Sequence, residues 1–323
     1  MGIEMEKISR LLEGYNFTLV DIGAAGGVHK RWTGFGDLLN IVGFEPDEKE
    51  FVKLNNSSHE LWFNIALADS PGVRKLHITK SQTNTSFLMP NYQLLNQLQW
   101  SPGSPVTDHD IIKDVDVQCD ALDNLLGSRD LHPDFLKLDT QGSELDILKG
   151  AERAILDDLL IVEVEVEFAP IYQHQPLFAD VDSFMRQRGY VLQDLGNLLY
   201  MKPRGLAGIG GAKGRIIAAD ALYVKDFSQD YSVLYESGER RVAAAIAGYA
   251  AYGYPELGIV LLQELVNRGC RIKNDSQLID ALRAIRPSRL RLPWLHTIAK
   301  KCGNIWFKHR KSEHSLWDVP LGN

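Results

Sequence analysis

Short apolar runs recur between helix-like stretches from about residue 17 to residue 226, at positions 17–22, 40–44, 62–67, 135–138, 159–166, 190–195 and 221–224. Runs of this length bounded by turn residues are buried strands, and strands alternating with helices build a largely parallel sheet covered on both faces. Seven strands in an α/β fold are therefore expected. With 323 residues, 45% hydrophobic and 24% charged, the chain has material for a sizeable core, and disorder is excluded as its main state. Residues 79–115 break the alternation with a polar stretch rich in Ser, Thr, Asn, Gln and Pro. A loop that long inside a compact domain is expected to carry function, with Thr85 and Ser86 placed to close over a ligand. After residue 226 the pattern turns helical: residues 240–252 and 255–268 read as a hairpin broken at Gly253-Tyr254-Pro255, with Ala243, Ala244, Ala247 and Ala251 offering a small face. The expected division is an α/β domain over residues 1–227 and a helical appendage with a basic tail over residues 228–323.

Charge is distributed unevenly. Residues 271–311 hold eleven Lys or Arg against Asp275 and Asp280, a net of +9 that leaves −16 on the rest of the chain. Such asymmetry suggests an anionic partner for the tail, a membrane surface or a protein, and Leu290, Leu292, Trp294, Ile298, Trp306 and Phe307 interleave with the basic residues there. The acidic body lacks the basic stripe that nucleic acid needs, so no nucleic-acid partner is expected. Cys119, Cys270 and Cys302 are far apart and form no C-x-x-C pair, which fits reduced thiols and no metal site. No apolar run approaches the roughly 18 residues that span a bilayer, and the first residues lack an export signal's order of charges, so a cytoplasmic location is expected, with association at a membrane surface open through the tail.

The stretch Val20-Asp21-Ile22-Gly23-Ala24-Ala25-Gly26-Gly27 is a buried strand entering a glycine-rich turn, where the backbone can pass close to a ligand. Such a turn follows the first strand of many doubly wound folds and does not separate a dinucleotide from other adenosine cofactors. Asp21 weighs against a pyrophosphate, which prefers bare amides to a carboxylate neighbour. S-adenosylmethionine has no phosphate and carries an ammonium and a sulfonium. On the second strand Glu45, followed by Pro46, lies 22 positions beyond Gly23, where a carboxylate accepts both ribose hydroxyls in NAD sites as well. Together these residues favour S-adenosylmethionine over NAD.

Three further segments complete an ordered set: Phe135-Leu-Lys137-Leu-Asp139-Thr-Gln141-Gly142-Ser-Glu144, then Leu148-Lys-Gly-Ala151, then Ile161-Val-Glu-Val-Glu165. With the glycine turn and Phe44-Glu45-Pro46, the sequence resembles the FkbM family of S-adenosylmethionine-dependent methyltransferases over about residues 17–226. The resemblance implies a class I methyltransferase fold, Rossmann-like, with six parallel strands and an antiparallel seventh. It also implies O-methylation, with hydroxyls of sugars, polysaccharides or polyketides as acceptors. One departure is Gln141, where many members have Glu; an amide orients a substrate but takes no proton.

Methyl transfer requires alignment of an acceptor oxygen with the methyl group and removal of a proton. Lys137 and Asp139 stand at i and i+2 at the end of the fourth strand and so share a face, with Asp139 the first candidate for base or acceptor-orienting group and an ion pair with Lys137 the plainer alternative. Glu163, Glu165 and Glu167 share one face of the fifth strand, and Glu165 is expected near the acceptor. No histidine is spaced to complete a metal site with them, and none is expected. His174 is the remaining candidate base. Asp21, Gly23, Ala24, Gly27, Glu45, Pro46, Ala66 and Leu67 are the expected cofactor contacts. The expected activity is O-methylation of a small-molecule or glycan hydroxyl. Its rival from another class is a catalytically silent module docked on a membrane or a glycan-assembly partner.

Overall fold

The computed structural model describes residues 2–23, 27–52, 54, 57–100, 104–129, 131–153, 155–205 and 214–285. Ala24 and the tail beyond residue 285, including Cys302, lie outside the described residues.

Eleven strands run β1 (Phe17–Ile22), β2 (Leu39–Phe44), β3 (Glu60–Phe63), β4 (Ala66–Leu67), β5 (Gly72–Thr79), β6 (Leu98–Gln99), β7 (Ile111–Asp120), β8 (Phe135–Leu138), β9 (Ile161–Glu167), β10 (Tyr190–Pro203) and β11 (Arg215–Lys225). Eight form the main sheet in the order β3-β2-β1-β8-β9-β11-β10-β6. The pairs β3/β2, β2/β1, β1/β8 and β8/β9 are parallel, and β11 lies antiparallel between β9 and β10. Six parallel strands with one reversed strand wedged beside the last is the expected class I methyltransferase arrangement, to which the two-residue β6 adds an eighth, antiparallel edge strand.

Two differences from the sequence reading shape the site. The run at 62–67 is two strands, because the chain leaves the main sheet at Asn64, whose Nδ2 donates to the Glu45 carbonyl at 2.9 Å. Ala66–Leu67 then joins a second sheet, β4-β7-β5, in which β5 and β7 pair antiparallel over most of their length. Part of the polar insertion is therefore a folded flap, with the 3-10 turn Gln82–Asn84 at its tip.

The main sheet is covered unequally. On one face Val20, Ile22, Leu136, Leu138, Val162, Val164 and Val166 pack with the helices Leu122–Gly127, Glu144–Lys149 and Phe178–Arg186. On the other, Phe17, Leu19, Phe135, Ile161 and Leu222 meet the helices Gly2–Leu11, Glu239–Tyr252, Pro255–Asn267 and Asp275–Ala284. Among the described residues between β1 and β2 the helical element is the kinked 3-10 segment Lys30–Leu38, too short to cover that face alone. The alanine-rich Glu239–Tyr252 helix closes it. Arg240 and Arg241 bind the buried carboxylate of Asp134 at 2.8 and 3.2 Å at the helix's first turn. Further along, Gly248 lets it approach so closely that a Cβ there would lie 2.6 Å from both Ile161 Cδ1 and Phe135 Cε1. The helices after residue 227 thus share one core with the sheet. Gly248→Val should overpack this contact and lower stability by about 1–3 kcal/mol in urea unfolding, with the fold retained.

Candidate active site

The strand register sets a row of charge across the sheet. Asp21 pairs with Lys137 and Lys137 with Glu163, so the three stand side by side on β1, β8 and β9. Their side chains share the face that carries Phe17, Leu19, Phe135 and Ile161 two or four residues earlier, by the period-two alternation of strands. The sheet face is thus apolar where helices cover it and charged at the carboxyl ends of its parallel strands, where open α/β sheets bind ligands. Lys137 Nζ lies 3.8 Å from both Asp21 Oδ1 and Asp139 Oδ2. Burial alone would lower the Lys137 pKa, but Asp21, Asp139, Glu163 and Asp220 together raise it, and it stays protonated. Burial pushes Asp21 up to about 6 against the pull of Lys137. Burial likewise pushes Asp220 up to about 7, helped by Glu163 and Asp139 and opposed by the hydrogen bond from Asn197.

Beside this row opens a cleft of about 520 Å³ between the sheet and the flap. Gly23, Glu45, Pro46, Ala66, Leu67, Asp139 and Glu165 line it, which brings together seven of the expected site residues. Asp21 and Lys137 are not among its lining residues and stand in the charge row next to it. Gly27 is exposed and does not line it. His174 is also exposed, at a left-handed φ of 60°, and away from the lining; its neighbour Gln175 is the buried residue. Gly23 is held against the loop after β8: at φ +80°, a Cβ on it would lie 1.9 Å from the Asp139 carbonyl oxygen.

That loop is fastened from several directions. Glu144, fully buried, accepts from the Thr140 amide at 2.7 Å, the Thr140 hydroxyl at 3.0 Å and the Gly142 amide at 2.9 Å. Burial still pushes its carboxyl up to about 7. Gln141, at φ 59°, turns its amide inward, so that Nε2 donates to Glu165 Oε2 at 2.8 Å and lies 3.5 Å from Asp139 Oδ1. Its Oε1 lies 3.2 Å from the Tyr172 hydroxyl, and its carbonyl accepts from Ser86 Oγ at 2.7 Å. A carboxylate at position 141 would add another negative charge to this cluster, whereas the amide supplies a donor. Burial raises Glu165 well above the ordinary carboxylate range, reinforced by Asp139, Glu167 and Glu144. Glu167 is raised in the same way, by burial first.

Sequence reasoning named Thr85 and Ser86 but missed Gln82, Thr83 and Asp47, which line the cleft, and Tyr172, which ties the flap to the Gln141 loop. Gln82 Nε2 reaches Asp47 Oδ2 at 3.0 Å and bridges the flap tip to the end of β2. No local signal marks such pairs, since each joins segments 30 or more residues apart. Among the described residues, no Lys or Arg lines the cleft. No group of three His, Cys, Asp or Glu side chains among them is arranged to hold a metal.

A cationic adenosine cofactor fits these walls. Phe44, Ile65, Leu67 and Ile147 offer apolar surface to a purine, and Glu45, buried, stands beside them. Asp21 Oδ1 is buried without a hydrogen-bond partner, an environment that favours a nearby positive charge over a phosphate. The reversed strand next to the last, the glycine turn and the carboxylate after β2 define a class I S-adenosylmethionine-dependent methyltransferase. The chain belongs to the FkbM methyltransferase family: the model described as the Methyltransferase FkbM domain matches residues 21–192.

No curated protein matches the sequence. Among solved structures it is similar to magnesium protoporphyrin IX methyltransferase from Synechocystis PCC 6803, solved with bound S-adenosylmethionine, at 10% identity over 70% of this chain and 80% of that one, with a TM-score of 0.30. It is similar to a precorrin-6y C5,15-methyltransferase from Geobacter metallireducens at 11% identity over 69% and 88% of the two chains, with a TM-score of 0.28. A TehB-like methyltransferase from Corynebacterium glutamicum matches at 8% identity over 69% and 88%, with a TM-score of 0.29.

Two outcomes follow from this geometry. Gly23→Ala should displace the turn from Asp139 and weaken S-adenosylhomocysteine binding by about tenfold or more in calorimetric titration. The raised Asp220 carboxyl keeps a proton in the folded chain that the unfolded chain releases near pH 4, so its contribution to stability falls as pH rises from about 4 to about 7 and then levels. Asp220→Asn should therefore gain on the wild type across that window, read from urea unfolding at stepped pH.

Proposed function

We propose that the chain transfers the methyl group of S-adenosylmethionine to a hydroxyl of a neutral, polyhydroxylated acceptor, a sugar or glycan. The observation that carries this reading is the composition of the cleft beside Asp139: carboxylates paired with an amide, and no cation among the described lining residues. Carboxylates accept hydroxyl hydrogens and an amide both donates and accepts, which matches a polyol. Phosphates and nucleic-acid backbones are favoured by Lys or Arg, or by bare amides away from carboxylates. An acceptor without negative charge fits this wall best.

The cofactor supplies an electrophilic methyl group on a sulfonium. Glu45 would hold the ribose hydroxyls, Gly23 would let the backbone approach, and Ala66 and Leu67 with Phe44 would flank the purine. Asp139 is partly exposed and next to Lys137, which keeps it oriented without neutralising the cleft. In this reading Asp139 accepts the hydrogen of the acceptor hydroxyl and takes its proton as the oxygen gains its methyl group. Glu165, held by the Gln141 amide, binds a second hydroxyl of the same acceptor and fixes the first one in place. The residues 271–311 with their excess of Lys and Arg would seat the enzyme near an anionic surface or a protein partner in the cytoplasm. Among the described residues, no helix is long and apolar enough to cross a membrane.

Asp139→Asn should lower kcat by about 10²- to 10⁴-fold while leaving S-adenosylhomocysteine affinity within a few-fold of wild type. The measurement is turnover on a panel of sugars, sugar phosphates and amines with radiolabelled S-adenosylmethionine. Methylation of phosphorylated or nucleic-acid acceptors in preference to neutral sugars would overturn the acceptor class. Glu45→Ala should weaken S-adenosylhomocysteine binding strongly, and a folded variant of unchanged affinity would remove the ribose assignment.

A further inference from the structure

We propose that Tyr252, on the helix after the family's domain, is a positioning residue of the cofactor site. Its hydroxyl fixes Glu163 so that Arg31 clamps the chain leaving the glycine turn. Glu163 is the end of the charge row, and its side chain is only 4% exposed. The Tyr252 hydroxyl donates to Glu163 Oε2 at 2.8 Å. Arg31 grips the same carboxylate with both terminal nitrogens, Nη1 to Oε2 at 3.0 Å and Nη2 to Oε1 at 3.4 Å. Its guanidinium also lies 4.6 Å from the centre of the Tyr252 ring, and Trp32 packs between Phe135 and Tyr252 at 4.8 and 5.6 Å.

The physical case rests on competition for one buried carboxylate. Glu163 stands in register with Lys137, whose charge also attracts it, so two cations draw on it. A buried carboxylate left to choose would move toward either partner, because both gains are large where water is excluded. The Tyr252 hydroxyl removes the choice by holding Oε2 on the Arg31 side. Arg31 in turn secures its own segment: Nε and the backbone N–H both donate to His29 Nδ1, at 2.8 and 3.2 Å. The described residues on either side of the glycine turn are therefore held, before it where the Asp139 amide donates to the Ile22 carbonyl at 3.1 Å, and after it by Arg31 on His29. Tyr252 lies outside residues 21–192, so the C-terminal helices add one hydrogen bond to a tether whose other members, Arg31 and Glu163 among them, lie in the matched domain.

The test uses the full chain without ligand and then with S-adenosylhomocysteine. Tyr252→Phe keeps the ring and removes the donor. It should speed amide hydrogen exchange across residues 22–31 in the ligand-free protein and weaken S-adenosylhomocysteine roughly fivefold to tenfold in calorimetry. Tyr249→Phe, on the same buried helix but away from Glu163, should leave both readings at wild type. Arg31→Lys keeps the charge, loses the two-pronged grip, and should give the same signature. The double variant should bind no more weakly than Arg31→Lys alone. Faster exchange confined to residues 239–252 with wild-type affinity, or losses that add in the double variant, would overturn the proposal.

Discussion

The row Asp21, Lys137, Glu163 and Arg31 is the interaction on which the rest of the molecule depends. Buried charges persist only where each has an opposite partner, and breaking one such pair leaves the other charge stranded at several kcal/mol. Three strands must therefore keep their register to within one residue, since a slip would send a charge to the opposite, valine-lined face. That requirement fixes where β1, β8 and β9 end relative to one another. The ends of those strands are where the glycine turn, the Asp139 loop and the Glu165 side chain depart.

From that fixed row the site is assembled by loops that hold each other. Glu144 collects three donors of the Asp139 loop, Gln141 joins that loop to β9, and Tyr172 and Ser86 join it to the flap. The flap tip reaches across to Asp47. Apart from the Glu144 contacts, each joins segments distant in sequence, so the cleft exists only once both sheets have formed. The outcome is an acidic chamber suited to a sulfonium cofactor and, in the proposed reading, to an acceptor presenting hydroxyls.

Much of this was legible in the residues. All the apolar runs except 62–67, which spans two strands, marked a strand or its core because burial on both faces demands consecutive apolar residues. The ordered motifs located the turn, Glu45 and Asp139. What escaped notice had weaker local signals. β5 and β7 belong to a sheet of which much is exposed, so their alternation is diluted by Lys113, Asp114 and Asp116. β10 continues past Gly196, where the apolar run 190–195 ends, because Asn197 adopts a left-handed φ of 47° at a bulge. His174 looked well placed by its position after β9, but the chain turns Gln175 inward in its stead. The helical hairpin was foreseen, whereas its contact with Glu163 was not, because a tyrosine at a helix end has no sequence mark of its partner.

The covering of one sheet face by the Glu239–Tyr252 helix also sets an order of events during synthesis. Phe17, Leu19, Phe135 and Ile161 leave the ribosome long before Val242 to Tyr252, part of what buries them. Until Gly248 and Tyr252 have been added, that face of the nascent sheet is covered only in part, by the Gly2–Leu11 helix with Trp32 and Phe35, and Glu163 lacks one of its partners. Chains of this design spend their translation time exposed on that side and settle late, which makes chaperone contact during elongation a natural companion of the fold.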